Sequence, residues 1–172
     1  MTTEGESARR AEGVRVVREK EGESYGSPRA PRTPTTSPSY VVIPVAWVES
    51  SLVLMSGAPR QGDEGAPPAW LVFGSNVSVA AADLQVGEEI MVITWLDRAR
   101  RDVLRTYPED DQSAGLWGVF STRSPDRPNP IGLHRVKILA RDGLRIQVSP
   151  LEAVDGTPIV DVKPVLDPVE GR

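Results

Sequence analysis

The chain has 172 residues, enough for one ordinary domain or for one domain with a tail. Hydrophobic residues make up 39% and charged residues 26%, and no apolar run is long enough to cross a membrane as a helix, so we expect a globular protein outside the membrane. The first residues lack the apolar segment of a secretory signal, which favours the cytoplasm. Cysteine is absent and His134 is the only histidine, which excludes disulfides, cysteine-based metal sites and multi-histidine metal centres.

The net charge of −4 is unevenly distributed along the chain. Residues 98–145 carry ten basic and six acidic side chains, and four of the basic ones are Arg98, Arg100, Arg101 and Arg105. A basic face on an acidic protein is compatible with one specific anionic ligand, and it is equally compatible with a solvated charged surface. Charge alone leaves both interpretations open.

Residues 1–39 differ in composition from the rest of the chain. They contain four prolines, ten serines or threonines and one aromatic residue. Such a segment cannot bury enough apolar area to offset the entropy lost on ordering, so we predict a disordered N-terminal tail. Residues 40–168 are predicted to form one folded domain.

From residue 40 onward, short β-branched runs alternate with Gly and Pro. We predict strands at 40–48, 51–55, 69–73, 89–96, 116–121, 133–140, 144–149 and 159–166. Asp-Gly at 142–143 predicts a two-residue hairpin, and Asp-Gly at 155–156 predicts a second turn. The helical pattern is limited to 79–85, with a turn or two over 97–104. The prediction is an all-β fold, a small antiparallel barrel or a sandwich with short helical insertions.

Two common nucleotide-binding motifs are missing. The sequence has neither G-x-G-x-x-G after a strand nor G-x-x-x-x-G-K-[ST], and its strands do not alternate with helices. A Rossmann or P-loop nucleotide site is therefore disfavoured. Any nucleotide-like cofactor would have to bind to a different scaffold.

The densest motif is GVFSTRSPDRPNPIGLHRV at residues 118–136. Its three prolines restrict the backbone, so little freedom is lost when the neighbouring side chains of Arg123, Arg127 and Asn129 bind a ligand. These side chains suit a carboxylate, a phosphate or the edge of a base. The alternative is a connection between strands whose prolines merely prevent edge pairing.

This motif closely resembles the signature of the TsaA/TrmO-like family, which is close to G-V-F-[AS]-T-R-S-P-x-R-P-N-P-I-G. Two further segments match in the right order: residues 59–61 resemble the family's P-R-Q, and residues 151–164 resemble its L-D-x-x-D-G-T-P-[VIL]-x-D-I-K-P. The resemblance covers about residues 40–166. It implies a small β-barrel methyltransferase that uses S-adenosylmethionine and acts as a homodimer. The family's characterised substrate is tRNA, methylated on the exocyclic amine of the threonylcarbamoyl-adenosine just 3′ of the anticodon.

Carried over position by position, the resemblance also implies a cofactor site. Its predicted residues are Pro59, Arg60, Gln61, Asp97, Arg98, Arg123, Leu133, Glu152, Ala153, Val154 and Asp155. Arg60 or Arg123 would bind the carboxylate of S-adenosylmethionine, and Gln61 would pair with adenine. Glu152 or Asp155 would accept from the ribose or lie near the sulfonium.

The predicted tRNA contacts are Arg100, Arg101, Arg105 and Arg127 to phosphates and Asn129 to the modified base. His134 is interpreted as a packed or surface side chain rather than a general base, and the proton acceptor is not assigned.

The chain departs from the family pattern at two places. Val165 follows K-P where the family has a tyrosine, and Asp97 and Arg98 stand where the family commonly has a histidine-containing pair. Well-studied bacterial members also carry an extra C-terminal domain. A small molecule or another RNA is therefore an alternative acceptor, and a non-catalytic module that binds S-adenosylmethionine or RNA is an alternative function.

Overall fold

The computed structural model describes residues 40–108 and 111–166, so the predicted disordered tail lies outside the described residues. The strands are β1 Ala46–Glu49, β2 Ala69–Phe73, β3 Glu89–Trp95, β4 Arg105–Thr106, β5 Trp117–Gly118, β6 Ile131–Asp142, β7 Arg145–Ser149 and β8 Pro158–Pro164. Short 3₁₀ helices cover Met55–Gly57, Gly62–Glu64, Ser75–Val77, Gln112–Ala114 and Val119–Ser121. The predicted all-β class is confirmed. None of the helices in the described ranges is long and apolar enough to span a bilayer.

Six strands form one closed sheet. They pair in the order β1-β2-β7-β6-β3-β8, every neighbouring pair is antiparallel, and β8 returns to β1. β4 and β5 form a separate two-stranded ribbon. Closing the sheet satisfies the hydrogen-bonding groups that an open edge would expose.

The core lies inside this barrel. Successive strand residues point to opposite faces, and β6 alternates accordingly: His134, Val136 and Ile138 are buried, whereas Leu133 and Arg135 are exposed. The largest fully buried side chains include Leu71, Ile90, Ile138, Ile146, Leu151 and Ile159. The only histidine of the chain therefore belongs to the inward-facing row of a strand.

Three predicted strands differ from the observed structure. The strand predicted over 40–48 is confined to Ala46–Glu49, the segment 51–55 is not a strand, and 116–121 keeps only the two strand residues of β5. These predictions rest on apolar runs, whereas a strand also needs a hydrogen-bonding partner. In the segment 51–55, Val53, Leu54 and Met55 are exposed rather than packed into the barrel.

The predicted helix over 79–85 is also wrong. The Ser75–Val77 3₁₀ helix is followed by a series of turns, in which the Ala80 N–H donates to the Val77 carbonyl at 3.0 Å. Ala81 is buried and Leu84 packs against the core while partly buried, but the turns between them do not continue as a helix. The turn expected within 97–104 is present at 97–98.

The β6–β7 hairpin turns one residue later than predicted. Asp142 pairs with Arg145, so the two loop residues are Gly143 and Leu144 rather than Asp142 and Gly143. Gly143 has a φ of 58°, which glycine adopts without the steric cost of a Cβ. The turn predicted at 155–156 is confirmed, and Gly156 has a φ of 78°.

Candidate functional site

The three sequence segments that resemble the family signature meet at a single cavity. Its volume is about 1080 Å³, and its walls include residues from 58–61, 120–127 and 152–154. Further walls come from the loop that follows β3 and from the start of β6. Segments separated by some ninety residues thus form one site.

Most of the predicted cofactor residues line this cavity. They are Pro59, Arg60, Gln61, Asp97, Arg98, Arg123, Leu133, Glu152, Ala153 and Val154. Asp155 lies just behind the wall, where its backbone carbonyl accepts from Arg98 Nη2 at 3.3 Å. Its carboxylate accepts the Ser50 N–H at 3.1 Å, which ties the 155–156 turn to the end of β1.

The 58–61 wall is shaped by a short 3₁₀ helix. Glu64 Oε2 accepts the backbone N–H groups of Arg60 and Gln61 at 2.9 and 3.3 Å. Gly62 packs closely against the 150–152 segment, because a Cβ built on it would lie 3.1 Å from Pro150 Cγ and 3.3 Å from Glu152 Oε2. The small residue after P-R-Q therefore allows this loop to approach Glu152.

The proline-rich loop is organised from within by Arg127. Its Nε donates to the Ser124 carbonyl at 2.8 Å, and its Nη2 donates to the carbonyls of Val119 and Thr122 at 3.2 and 2.5 Å. Asp126 extends the network by accepting the Arg100 N–H at 2.8 Å, which joins this loop to the one after β3. The side chain predicted to contact phosphate thus also holds the loop that carries Arg123.

A buried hydrogen-bonded chain lies behind the cavity wall. His134 Nδ1 and Glu152 Oε1 are 2.7 Å apart, and His134 Nε2 and Thr94 Oγ1 are 2.9 Å apart. Thr94 is fully buried and His134 is 6% exposed, whereas both His134 and Glu152 contribute to the cavity lining. A Cβ on Gly132 would overlap the Thr94 hydroxyl and lie 2.6 Å from His134 Nε2, so the chain requires glycine there.

The hydrogen bonds among Thr94, His134 and Glu152 influence the charge of the Glu152 carboxyl. Burial raises the pKa of the Glu152 carboxyl, but the hydrogen bond and charge of His134, a backbone hydrogen bond and the nearby Arg123 outweigh burial. The pKa of Glu152 is therefore lowered overall, and this carboxylate is ionised at neutral pH.

The predicted phosphate contacts Arg100, Arg101 and Arg105, which we call the arginine cluster, lie outside the cavity lining and are exposed. Arg100 Nη2 donates to Asp102 at 3.2 Å, and Arg101 lies over the Trp95 ring at 5.0 Å from its centroid. Arg105 donates to the Leu116 carbonyl at 2.7 Å across the β4–β5 ribbon. Asn129 is also exposed and outside the lining. These four residues do not converge with the predicted cofactor residues.

Sequence reasoning missed two parts of the site. The first is the Thr94–His134 pair, although His134 alternates in step with the apolar inward residues of β6 and could have been assigned to the interior on that basis. The second is a set of exposed aromatic rings that line the cavity, from Tyr107, Trp117 and Phe120. Among residues 40–108 and 111–166, no group of three or more acidic or histidine side chains is placed to hold a metal ion.

Comparisons with known proteins agree with these segments. The family model of the tRNA-methyltransferase O N-terminal domain matches residues 47–170. A probable S-adenosyl-L-methionine-binding protein of Archaeoglobus fulgidus is 40% identical over 120 residues, which are 70% of this chain and 32% of that protein. An S-adenosyl-L-methionine-binding protein of the same organism is 36% identical over 123 residues, which are 72% of this chain and 87% of that protein.

Solved structures show the same fold. The crystal structure of TrmO from Pseudomonas aeruginosa superposes with a TM-score of 0.59 at 21% sequence identity, covering 77% of this chain and 60% of that one. Another TrmO crystal structure gives a TM-score of 0.60 at 24% identity and is covered to 62% of its length. This chain therefore spans about a third of the first relative and three fifths of the solved structures.

Proposed function

The chain belongs to the family of the tRNA-methyltransferase O N-terminal domain, and from that membership we propose that it is an S-adenosylmethionine-dependent methyltransferase. The proposed acceptor is the exocyclic amine of threonylcarbamoyl-adenosine beside the anticodon of tRNA. One observation carries the proposal: the segments that match the family signature converge on one cavity. Its volume of about 1080 Å³ is at the upper end for a small-molecule site, which leaves room for a reacting group beside a cofactor.

The residues that line the cavity fit the chemistry of S-adenosylmethionine. Arg60 and Arg123 are suited to its carboxylate, and the Gln61 amide is suited to the edge of adenine. Glu152 offers an ionised carboxylate to the cationic or hydroxyl-bearing part, and Leu133 offers apolar contact. When bound, the cofactor supplies an activated methyl group, so no metal is required.

The chain's own contribution to the reaction is positioning. Methyl transfer requires the acceptor nitrogen, the methyl carbon and the sulfur to be aligned, so fixed walls lower the entropic part of the barrier. Arg127 fixes the proline-rich loop through three carbonyls, and Asp126 ties that loop to the Arg100 backbone. These contacts hold Arg123 on one wall while Glu152 is held on another.

The surroundings of the cavity support an RNA acceptor. Tyr107, Trp117 and Phe120 are partly exposed aromatic rings on its walls, and such rings stack on unpaired bases. The nearby arginine cluster adds positive charge for phosphates. We propose that Asn129 contacts the modified base and that Arg127 acts mainly through the loop it organises.

The test is a transfer assay with purified protein. S-adenosylmethionine with an isotopically labelled methyl group is incubated with tRNA that bears threonylcarbamoyl-adenosine, and the digested nucleosides are analysed by mass spectrometry. We expect the label on that nucleoside and none on matched tRNA that lacks the threonylcarbamoyl group. Label on a different nucleoside would identify another RNA acceptor, and its absence from all nucleosides would refute the tRNA assignment.

A second candidate function is a non-catalytic binding module. The names of the two archaeal relatives support it, since both state binding of S-adenosyl-L-methionine and neither states transfer. Binding measured by calorimetry, together with no transfer to any tRNA from cells that lack this gene, would favour this candidate over the first.

We further propose that the protein acts in the cytoplasm, where tRNA is available, and that it is a homodimer. Residues 40–168 are proposed to form the domain responsible for activity. Exposed apolar side chains next to the cavity support an association surface: Val53 and Leu54, exposed by 62% and 69%, directly precede Met55 of the cavity lining. Sedimentation of the full chain would reveal the dimer, and a monomer at micromolar concentration would exclude it.

A further inference from the structure

Thr94, His134 and Glu152 form a hydrogen-bonded chain of polar side chains at the edge of the apolar barrel interior. His134 is a polar residue in the inward row of β6, where Val136 and Ile138 are apolar, and its burial is offset by hydrogen bonds at both ring nitrogens. Glycine at position 132 is needed to make room for the Thr94–His134 contact. The buried histidine therefore has a specific, sterically defined position, and one of its two polar neighbours, Glu152, lines the cavity.

The direction of the hydrogen bonds defines what His134 does. An ionised carboxylate can only accept, so His134 Nδ1 donates to Glu152 Oε1. At the other ring nitrogen, Nε2 accepts the Thr94 hydroxyl proton when the ring is neutral and donates to the Thr94 oxygen when the ring is protonated. In either state Thr94 fixes the ring orientation, and the ring fixes the position of the carboxylate.

Glu152 differs from the other acidic side chains of the cavity. Asp126 accepts a backbone N–H of the neighbouring loop, and Asp97 is exposed to solvent. The Glu152 side chain is only 17% exposed, and the pKa of its carboxyl is lowered. A partly desolvated, fixed negative charge interacts more strongly with a cation than an exposed one does.

We propose that His134 is a positioning residue that, backed by Thr94, holds the Glu152 carboxylate as a fixed negative charge at the cavity wall, and that this charge selects a cationic sulfonium ligand over its neutral thioether counterpart. The inference rests on the proposed function, because it concerns the recognition of S-adenosylmethionine. The sulfonium differs from the thioether of S-adenosylhomocysteine in its positive charge and its extra methyl group, and a fixed carboxylate responds to the charge. Release of the thioether after transfer follows from the same preference.

The experiment compares the two ligands by calorimetric titration of the full chain. Glu152→Gln preserves shape and removes charge, and we expect it to lower the affinity ratio of S-adenosylmethionine to S-adenosylhomocysteine about tenfold. His134→Leu, which removes the donor, should lower the ratio in the same direction, whereas His134→Asn, which retains an N–H donor, should restore most of it. Glu89→Gln is the matched control, because Glu89 pairs with Arg135 outside the cavity lining. Thermal unfolding of each variant verifies that it folds.

Each outcome decides the inference. A lowered ratio in Glu152→Gln and an unchanged ratio in Glu89→Gln support it, even if His134→Leu fails to fold. Equal loss of affinity for both ligands would overturn it by assigning Glu152 to a group that the two ligands share. Charge-selective binding without transfer to tRNA would refute the proposed function alone, whereas failure of the wild-type chain to bind either ligand would refute both.

Discussion

Replacing Gly132 by alanine should destabilise the barrel through two neighbours. The added Cβ would overlap the Thr94 hydroxyl and lie 2.6 Å from His134 Nε2, about 1 Å inside ordinary carbon contact. Both neighbours are buried, so neither side chain can move into solvent. Overpacking costs about 1–3 kcal/mol and the weakened hydrogen bond about 0.5–1.5 kcal/mol, which together give about 1.5–4.5 kcal/mol.

Equilibrium unfolding in guanidinium chloride measures this difference. Gly118→Ala is the matched control, because Gly118 also lies in a strand, has a φ of −60° and has no atom within 4 Å of an added Cβ. The control should be neutral or slightly stabilised, by up to about 1 kcal/mol, since alanine restricts the unfolded chain. If Gly132→Ala unfolds at the same midpoint as the control, the close packing around His134 is not the reason for glycine at position 132.

Four further changes test the site and the tail. Arg123→Ala should weaken S-adenosylmethionine binding about ten- to a hundredfold without changing the unfolding midpoint, as measured by calorimetry; wild-type affinity would contradict the assignment. Replacing the whole arginine cluster by alanine should leave cofactor affinity unchanged and flatten the salt dependence of tRNA binding by about two log units per decade, and an unchanged slope would indicate that these side chains act only within the protein or between subunits. Because the folded-state pKa of Glu152 lies below its ordinary value of 4.5, the wild type gains stability above that pH and loses it as the pH falls through the folded-state pKa. Glu152→Gln should therefore reduce the acid-side dependence of the unfolding midpoint, and identical profiles would contradict this. Removal of residues 1–38 should leave the thermal midpoint and cofactor affinity nearly unchanged, and a large loss of stability would show that the segment belongs to the fold.

Local patterns predicted the strands whose apolar residues pair within the barrel. β2 was predicted with its observed bounds and β3 to within one residue, because both are apolar runs buried between two partners. The segment 51–55 has a similar composition, yet no strand lies beside it in the described structure. Composition indicates that a segment favours an extended backbone, whereas a strand also depends on partner strands that are remote in sequence.

The site was predicted mainly through resemblance, and its interior was not. The resemblance predicts that the P-R-Q segment and Glu152 belong to one cofactor site, because the family motifs include residues that are far apart in sequence. The sequence predicts a packed or surface side chain at His134, and the structure shows it packed, with hydrogen bonds that the sequence does not reveal. Its significance depends on Thr94 and Glu152, which are 40 residues before it and 18 residues after it.

Closure of the barrel has a consequence for synthesis of the chain. β8 pairs with both β1 and β3, so Ala46 meets Ile159 only after about 110 further residues have been made. Until then β1 and β3 each present an unpaired edge, which is the geometry that favours association with other nascent chains. Glu152 precedes β8 by a few residues, so the cavity wall and the last strand are completed at nearly the same moment. Ligand binding to a nascent chain would therefore mark the end of folding rather than guide its beginning.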